Sequence, residues 1–383
     1  MKRLLFLITG LGYGGAETQL VRLASRLLQR GWSIQMVSML PLVAYADNLR
    51  NYGIPVHTLK MRRKVPDPRA IGRFARIVRC FRPSVVHAFM VHANLLARVS
   101  RLFCRIPVLI CSARNTYEGG WMREWAYRLT DPLCDMTTQV CRVGMERYIQ
   151  RRLAPAHKIV YIPNGIEVNR FTPNPSLREA IRQQLGIGQA FVWLTVGRLE
   201  PQKDYPNLLT AFRQVVSRAT QPTQLLIVGQ GPLRGMIERK VADLELSGAV
   251  QLLGVRTDIP ALLSAADAFV LASSWEGMSN ALLEAAAAAL PIVATSVGGA
   301  PEIVAQQMGY LVPPRDADAL AQAMLRLMAL PEAERHAMGQ AGRMHTMANF
   351  DLEKVVDEWE QLYLQLLERK GLVSTRNPQS ESC

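Results

Sequence analysis

Short apolar runs alternate with amphipathic segments along the first 140 residues. Apolar runs of this kind predict buried strands, and apolar positions three or four residues apart predict helices. The predicted strands cover 4–9, 33–40, 55–59, 84–88, 107–112 and 136–139, and the predicted helices cover 17–29, 69–80, 92–103 and 120–133. Strands alternating with helices of this length indicate a parallel sheet with helices on both faces.

A proline-rich segment, 159–176, interrupts this alternation. It begins with a last apolar strand and continues with turn-forming residues that are typical of a connection between domains: Pro163, Asn164, Gly165, Pro173 and Pro175. We therefore predict an N-terminal domain of residues 1–165 and a C-terminal domain of residues 166–369.

The alternation restarts after that segment. The predicted strands are 190–196, 224–228, 250–253, 268–271, 291–294 and 309–312, and the predicted helices are 207–217, 232–246, 279–289 and 316–329. A long amphipathic helix, 351–369, ends the second domain and is free to pack back on the first, and the tail 370–383 is predicted to be disordered. The expected fold class is α/β, with two doubly wound, Rossmann-like domains facing each other across a cleft that binds ligands at the strands' carboxyl ends.

Positive charge is concentrated in the first domain. The chain holds 45 Lys and Arg against 31 Asp and Glu, a net charge of +14, whereas residues 1–165 hold 26 against 8 and the remainder holds 19 against 23. A basic half of this kind indicates an anionic partner. Nucleic acid is not expected, because no aromatic-lined basic platform or known binding motif accompanies the charge.

The basic residues are densest around the predicted helix 69–80. Arg69, Arg73, Arg76 and Arg79 interleave there with apolar side chains. One interpretation is an amphipathic helix on an anionic membrane surface. The other is a helix whose apolar face packs on the core and whose arginines are solvated.

The cysteines and the N-terminus point to the cytoplasm. The six cysteines include no C-x-x-C pair and no histidines at zinc spacing, which predicts free thiols in a reducing compartment. The N-terminal apolar run of about seven residues is too short for a signal peptide or a membrane span. We expect any membrane contact to be peripheral.

Two cations follow a predicted strand in the segment VGRLEPQKD, which begins at Val196. Arg198 and Lys203 lie between the strand end at Gly197 and the next helix. Two fixed cations at the carboxyl end of a strand suit a diphosphate. The alternative is that both are solvated loop charges.

Two glutamates eight positions apart mark a second candidate region, LASSWEGMSNALLEAAAAALP. Glu276 lies in a loop after a strand, and Glu284 lies on the following helix in an otherwise apolar run, where it can accept hydrogen bonds from vicinal hydroxyls. Four residues at the start of that helix have amides that can face an anion: Gly277, Met278, Ser279 and Asn280. Asp316 and Asp318 form a D-x-D pattern, but their position favours helix N-capping, so no metal site is predicted.

Together these motifs resemble the family 4 retaining glycosyltransferases, which have the GT-B architecture. The resemblance spans roughly residues 3–369, and Glu276 and Glu284 match the E-x7-E motif of that family. It rests on GYGGAETQL, VVHAFMVHANLLAR, YIPNGIEVNRF, GRLEPQKD, IVGQGP, the long segment LLGVRTDIPALLSAADAFVLASSWEGMSNALLEAAAAALPIVAT, and GGAPEIV.

The resemblance implies a nucleotide-diphosphate sugar as the donor substrate. Arg198 and Lys203 would hold the diphosphate and stabilise its charge as it leaves. Glu276 and the amides of 277–280 would contact the sugar, and Glu284 would bind the ribose. No metal or other cofactor is expected, because the two cations take the place of a metal.

The resemblance also implies a histidine near the transferred sugar, after a strand of the N-terminal domain. This chain has His87 and His92, with Phe89 at the second position of the His-x-His found in many relatives. We favour His92 as the catalytic residue and keep His87 as an acceptor-side candidate. The loop after the next strand offers Arg114 and Asn115 to the acceptor.

A glycine-rich turn near the N-terminus matches the dinucleotide fingerprint G-x-G-x-x-G at Gly10, Gly12 and Gly15. That interpretation needs an acid about 20 residues further on, at the end of the second strand. None occurs there before Asp47. We interpret Gly14 and Gly15 instead as the N-domain wall of the cleft, where the backbone can approach the donor.

The expected function is transfer of a sugar, with retention of its anomeric configuration, from a nucleotide donor to a glycan acceptor. A basic N-terminal domain fits a lipid-linked acceptor on a polyprenyl diphosphate at the inner face of the cytoplasmic membrane, as in exopolysaccharide, O-antigen or capsule biosynthesis. The alternatives are a sugar-nucleotide synthase or epimerase that acts on soluble substrates, and a non-catalytic glycan-binding relative.

Overall fold

The computed structural model describes residues 2–372 except Tyr13, Val43, Lys64 and Glu118. Within these residues the chain forms two compact units. The first contains the chain up to Pro163 together with the residues from Glu353 onward, and the second is Asn164–Leu352. The chain thus passes from one unit to the other inside the proline-rich segment.

A parallel sheet of seven strands lies in the described part of the first unit. The strands are β1 Arg3–Ile8, β2 Ser33–Ser38, β3 Val56–Thr58, β4 Val85–Phe89, β5 Val108–Ala113, β6 Met136–Gln139 and β7 Ile159–Tyr161. Their order across the sheet is β3-β2-β1-β4-β5-β6-β7. Leu4 of β1 pairs with Ile34 on one side and Val85 on the other. The order reverses between β1 and β4, which is the switch point where open α/β sheets bind ligands.

Helices connect these strands. They are α1 Gly15–Gln29, α2 Ala46–Asn51, α3 Arg69–Phe81, α4 Val91–Ser100, α5 Trp121–Thr130 and α6 Arg142–Gln150. Neither α2 nor α6 was predicted, because six and nine residues are too few for a helical period to stand out.

The basic helix α3 packs on the core of its own unit. Ala70, Phe74 and Val78 are buried there against side chains of the sheet. Arg76 and Arg79 lie on the exposed side. The apolar face of α3 is therefore already covered by protein, which matches the second interpretation of its pattern.

The second unit has a parallel sheet of six strands among the described residues. The strands are β8 Phe191–Val196, β9 Thr223–Val228, β10 Val250–Gly254, β11 Ala268–Leu271, β12 Ile292–Thr295 and β13 Gly309–Val312, in the order β10-β9-β8-β11-β12-β13. The helices are α7 Pro175–Gln184, α8 Tyr205–Arg218, α9 Arg234–Asp243, α10 Ile259–Ala265, α11 Asn280–Ala287, α12 Ala300–Ile303, α13 Ala317–Ala329 and α14 Glu332–Asn349. The predicted α/β class with two doubly wound sheets is confirmed.

The connecting segment is shorter than predicted, because α7 begins inside it at Pro175. The side chain of Asn174 accepts a hydrogen bond of 3.1 Å from the amide of Leu177 and so caps this helix. Proline in the first turn and asparagine at the N-cap are ordinary signals of a helix start. Their presence here explains why a segment with linker composition is partly helical.

The last helix, α15 Leu352–Arg369, belongs from Glu353 onward to the first unit. The Tyr363 hydroxyl lies 2.7 Å from Nδ1 of His87, and Trp32 Nε1 donates a hydrogen bond of 2.8 Å to Glu360. The second unit thus ends at Leu352, and the chain returns to the first unit for its last helix, an arrangement that the predicted range 166–369 left open.

Lys370 still belongs to the ordered fold, since its ammonium lies 2.9 Å from the Asp135 carboxylate. The rest of the tail that we predict to be disordered, 373–383, lies outside the described residues.

The five cysteines of the described chain are free thiols, as predicted. None of the described helices has the length and hydropathy that a bilayer crossing needs.

Candidate active site

In each unit most of the predicted site residues follow the two strands that flank the switch point. Lys203 follows β8 and Glu276 follows β11, and these strands are neighbours in the second sheet. The Gly14–Gly15 turn follows β1 and His92 follows β4, which are neighbours in the first sheet. Because parallel strands end at the same edge, each group lies at the carboxyl edge of its own sheet.

Lys203 and Glu276 form a mostly buried ion pair. Nζ of Lys203 lies 2.5 Å from Oε1 of Glu276, and the two side chains are 16% and 9% exposed. Ser273 Oγ donates to the same carboxylate oxygen at 2.8 Å, and Gln202 Nε2 donates to the other at 2.9 Å. These bonds hold the carboxylate in one orientation beside a cation, where water screens the charges weakly.

Gly197, the residue after β8, makes room for this lysine. A Cβ at this position would lie 3.0 Å from Cε of Lys203 and 3.5 Å from the Tyr205 hydroxyl. That hydroxyl donates a hydrogen bond of 3.1 Å to the Gly197 carbonyl. Burial, and to a smaller extent the charge of Glu276, raises the pKa of Tyr205, so the phenol stays protonated. Gly197 therefore lets the Lys203 side chain pass over the backbone to Glu276.

Arg198 is the accessible cation of the same loop. Its side chain is 57% exposed, and its guanidinium lies 3.0 Å from the Glu200 carboxylate. An exposed pair of this kind is weak and exchanges readily for another anion. The two predicted diphosphate ligands thus differ, since Lys203 is held by a buried carboxylate and Arg198 faces solvent.

The loop that carries Glu276 is fixed by its neighbours. The amide of Ser274 donates to the Gln202 carbonyl at 2.9 Å, which joins this loop to the one after β8. On its other side lies Gly298, with φ of 54°, where a Cβ would lie 2.4 Å from the carbonyl oxygens of Glu276 and Gly277. A side chain at Gly298 is therefore excluded by both backbone angle and space.

The backbone of 277–280 is held at the start of α11. Ser279 caps this helix, with its hydroxyl 3.4 Å from the amide of Leu282. The Asn164 amide group donates to the Met278 carbonyl at 3.0 Å and to the Asn280 side chain at 2.8 Å. The segment is thus ordered at a helix N-terminus, where the dipole favours an anion.

Glu284 lies one helical turn after Asn280, so the two side chains share a face of α11. It is half-buried, whereas its neighbours Leu283 and Ala285 are fully buried. The structure therefore places a carboxylate on the helix that begins with the 277–280 amides.

Two other sequence features of the second unit have structural explanations. Gly229 has φ of 144°, and a Cβ on it would lie 1.9 Å from the Gly197 carbonyl oxygen. The glycine in the segment IVGQGP is therefore explained by the close approach of these two backbone segments. The Asp316 carboxylate accepts a hydrogen bond of 2.9 Å from the amide of Ala319 and caps α13. This agrees with the interpretation of the D-x-D pattern as a helix start.

Gly14 and Gly15 begin α1 at the carboxyl edge of the first sheet. Thr18 donates a hydrogen bond of 2.9 Å to the Gly14 carbonyl, and Gly15 is exposed. A Cβ on Gly14 would lie 2.4 Å from Oε2 of Glu17. The Glu17 side chain therefore lies over this turn, and because it is flexible it can move away.

His87 has no accessible surface. Its ring lies 2.7 Å from both Tyr363 Oη and Ser112 Oγ, so both nitrogens are engaged. Burial, with a smaller effect of the Arg114 charge, holds the pKa of His87 well below its ordinary value. We expected this histidine to contact the acceptor. In the structure its side chain is enclosed by its own unit.

His92 is exposed in the first turn of α4. The residue that precedes the helix, Met90, has φ of 73°, a conformation that side chains other than glycine rarely adopt. Burial of part of the ring and the nearby charge of Arg123 lower the pKa of His92. A neutral, accessible imidazole thus lies at the carboxyl edge beside β4.

Arg114 and Asn115 follow β5 at the same edge, and both are half-buried. The Arg114 guanidinium lies 5.5 Å from the ring centre of Phe89. The Asn115 carbonyl accepts a hydrogen bond of 2.8 Å from Gln139. The structure thus gathers Gly14–Gly15, His92 and Arg114–Asn115 behind three adjacent strands of the first sheet.

Family models match both units. The model described as "Glycosyltransferase Family 4" matches residues 13–170, and the model described as "Glycosyl transferases group 1" matches residues 178–345. The chain is a family 4 glycosyltransferase. The two matches together cover each of the site segments described above.

Similar proteins include two curated glycosyltransferases. An Escherichia coli UDP-Gal:alpha-D-GlcNAc-diphosphoundecaprenol alpha-1,3-galactosyltransferase is 26% identical over 346 residues, 86% of this chain and 88% of that protein. A Corynebacterium glutamicum GDP-mannose-dependent monoacylated alpha-(1-6)-phosphatidylinositol monomannoside mannosyltransferase is 35% identical over 259 residues, 64% of this chain and 67% of that protein. Among solved structures, Anabaena HepE in complex with UDP matches with a TM-score of 0.83 and 21% identity over 95% of this chain and 100% of that one, which supports the GT-B fold.

Some structural partners in this glycosyltransferase were missed by sequence reasoning. Gln202 and Ser273 orient Glu276, and Asn164 fixes the backbone before α11. Gln202 stands next to Lys203 in the chain, and Asn164 stands in the Pro-Asn-Gly turn, so position alone could have suggested both. Nothing in the sequence indicates which of several serines reaches Glu276.

Proposed function

We propose that this glycosyltransferase moves a sugar from a nucleoside-diphosphate donor to a lipid-linked glycan acceptor with retention of configuration. The observation that carries the proposal is the Lys203–Glu276 pair at the switch point of the second sheet, with the accessible Arg198 on the same loop. Fixed cations at this edge suit the two phosphates of such a donor.

The second unit would bind the donor. Arg198 would exchange its weak contact with Glu200 for a phosphate, and Lys203 would balance charge on the same diphosphate, so that no metal ion is required. The 277–280 amides would face the sugar or its phosphate, together with Glu276. Glu284 would accept hydrogen bonds from the ribose hydroxyls.

The chemical step exchanges one bond to the anomeric carbon for another. The acceptor oxygen forms its bond on the face from which the diphosphate leaves, and the acceptor proton passes to the departing phosphate. The negative charge that develops on the diphosphate is stabilised by Arg198 and Lys203, which are in place before the reaction. Retention follows because both bonds lie on one face of the sugar.

The first unit would bind the acceptor. His92, Arg114 and Asn115 lie at the carboxyl edge of its sheet, and Gly14 and Gly15 leave the backbone accessible there. We leave His87 out of the proposed site, because its ring is buried and both nitrogens are engaged. The names of the Escherichia coli and Corynebacterium glutamicum relatives specify lipid-linked acceptors, and this supports the same acceptor class. On this proposal the enzyme would work peripherally at a membrane surface.

The experiment is a turnover assay with UDP- and GDP-sugars and a polyprenyl-diphosphate-linked sugar, with the anomeric configuration of the product determined by NMR. Lys203→Ala and Arg198→Ala are expected to lower turnover strongly while the fold is retained. Lys240→Ala and Arg213→Ala are matched controls on helices of the same unit. Near-wild-type turnover in both site variants would refute the diphosphate assignment, and equal rates with free sugars would refute the lipid-linked acceptor.

A further inference from the structure

The helix α5 exposes an apolar face that no described part of the chain covers. Trp121, Met122, Trp125 and Leu129 are 71%, 69%, 60% and 78% exposed. At 100° per residue these four positions fall within an arc of about 100° on one side of the helix. The opposite side packs into the unit through the buried Tyr127. Large apolar side chains in one exposed stripe indicate a surface that binds something.

Arginines lie on the α6 side of this stripe. Glu124, the acid of the helix, is mostly buried and lies 2.7 Å from Arg147 of α6 and 3.8 Å from Arg128, so its charge is balanced. Arg128 also donates to the Arg151 carbonyl at 2.9 Å, which sets α5 and α6 side by side. Three more arginines on α6 and directly after it are exposed, against one exposed acid, Glu146: Arg142, Arg151 and Arg152.

We propose that this α5 face, Trp121, Met122, Trp125 and Leu129, is the surface that binds the enzyme to an anionic phospholipid membrane. Tryptophan, leucine and methionine on one face with arginines beside them suit the boundary between headgroups and acyl chains. A second copy of the chain fits less well, because a ten-residue helix is about 15 Å long and offers far less than the roughly 800 Å² per partner of a stable dimer.

The position of α5 gives this surface a use in the reaction, a step that rests on the proposed lipid-linked acceptor. The loop from Arg114 and Asn115 leads directly into Trp121, so the helix starts at the carboxyl edge of the first sheet. An acceptor whose lipid lies in the bilayer would therefore present its diphosphate and sugar beside those two residues. We assign the membrane contact to the α5 face and not to α3, because the apolar side of α3 is buried in the core.

The test is co-sedimentation of the full chain with vesicles of equal parts phosphatidylcholine and phosphatidylglycerol, and with vesicles of phosphatidylcholine alone. We expect binding to the mixed vesicles that weakens with salt. Trp125→Ser combined with Leu129→Ser is expected to weaken it about tenfold or more, because two apolar side chains no longer leave water. Tyr52→Ser combined with Val65→Ser removes comparably exposed apolar side chains of the same unit and should leave binding unchanged.

A fluorescence arm separates insertion from electrostatic attraction. Vesicles with brominated acyl chains quench tryptophans that enter the bilayer, and Trp121→Phe with Trp125→Phe is expected to abolish that quenching while binding persists. Equal binding of wild type and Trp125→Ser/Leu129→Ser, or quenching that survives the phenylalanine variant, would overturn the proposal. So would a dimer in solution that the serine variant dissociates, which would identify a second copy as the occupant.

Turnover with a short-chain acceptor in the absence of vesicles tells the two proposals apart. Transfer without vesicle binding refutes the membrane surface and leaves the proposed function intact. Vesicle binding without transfer to any lipid-linked acceptor refutes the proposed function and leaves the surface intact.

Discussion

Lys203 and Glu276 stand 73 positions apart in the chain, and their charged groups lie 2.5 Å from each other. Each belongs to a loop after one of the two strands at the switch point of the second sheet, so strand order alone brings them together. The pair is mostly buried and carries further bonds from Gln202 and Ser273. A cation is thus oriented before any donor binds.

Glu276→Gln removes the charge but keeps a similar shape. The Lys203 ammonium then lacks its carboxylate in a poorly screened site, and the donor loses an oriented group, so we expect turnover to fall about 100-fold or more. Steady-state kinetics with the preferred donor measure this. Glu238→Gln, on an exposed helix of the same unit, is the control. Similar rates in both variants would contradict a role of Glu276 in the reaction.

Gly197→Ala adds a methyl group where a Cβ would lie 3.0 Å from Cε of Lys203. The lysine has to move, and a displacement of an oriented group by a fraction of an ångström costs turnover, about tenfold to 100-fold here. Gly235→Ala is the matched control, because its Cβ would meet nothing within 4 Å. Unchanged kinetics for Gly197→Ala would show that the position of Lys203 does not limit the reaction.

Tyr363→Phe leaves Nδ1 of the buried His87 without the partner that it has at 2.7 Å. An unsatisfied buried polar group costs about 1–3 kcal/mol, so the free energy of unfolding should fall by that amount. Urea denaturation measures it. Tyr52→Phe, at an exposed tyrosine of the same unit, should change stability by less than about 0.5 kcal/mol. An equal change in the free energy of unfolding in the two variants would show that this hydrogen bond does not stabilise the fold.

His87 should also make stability depend on pH. Burial keeps its folded pKa well below 6.5, whereas the unfolded chain has the ordinary value of 6.5. Below pH 6.5 the unfolded state therefore binds a proton that the folded state does not, and stability falls as the pH falls. Between pH 7.5 and 5.5 the loss from this residue approaches about 1.4 kcal/mol. Urea denaturation at the two pH values should show a smaller difference in His87→Gln, and an identical difference would contradict this assignment.

The strands and the two sheets were predictable, because fully buried parallel strands such as β1 and β8 are continuous apolar runs. The helix α14 was not. Its 18 residues are mostly polar or small, and it is stabilised by packing on α11 and not by a clear apolar stripe of its own. Helix propensity and periodicity carry little signal in such a segment.

Only part of the candidate site could likewise be predicted from the sequence. Local motifs were sufficient to single out Lys203 and Glu276, because loops after neighbouring strands meet at one edge. The environment of His87 could not be predicted, since its partner Tyr363 lies 276 positions away on a helix whose packing the sequence left open. The surroundings of the basic helix α3 were also ambiguous, because an amphipathic pattern does not say whether protein or lipid covers the apolar face.

The return of α15 to the first unit has a consequence for synthesis on the ribosome. Domains usually fold in order from the N-terminus, at about 5–20 residues made per second. Here Trp32 Nε1 and Nδ1 of His87 find their partners on the last helix, and Asn164–Leu352 must be made in between. At those rates the delay is about 10–40 s, during which the first unit lacks a helix and the second can already fold. The first unit is therefore synthesised first but is the last to have all the residues of its fold.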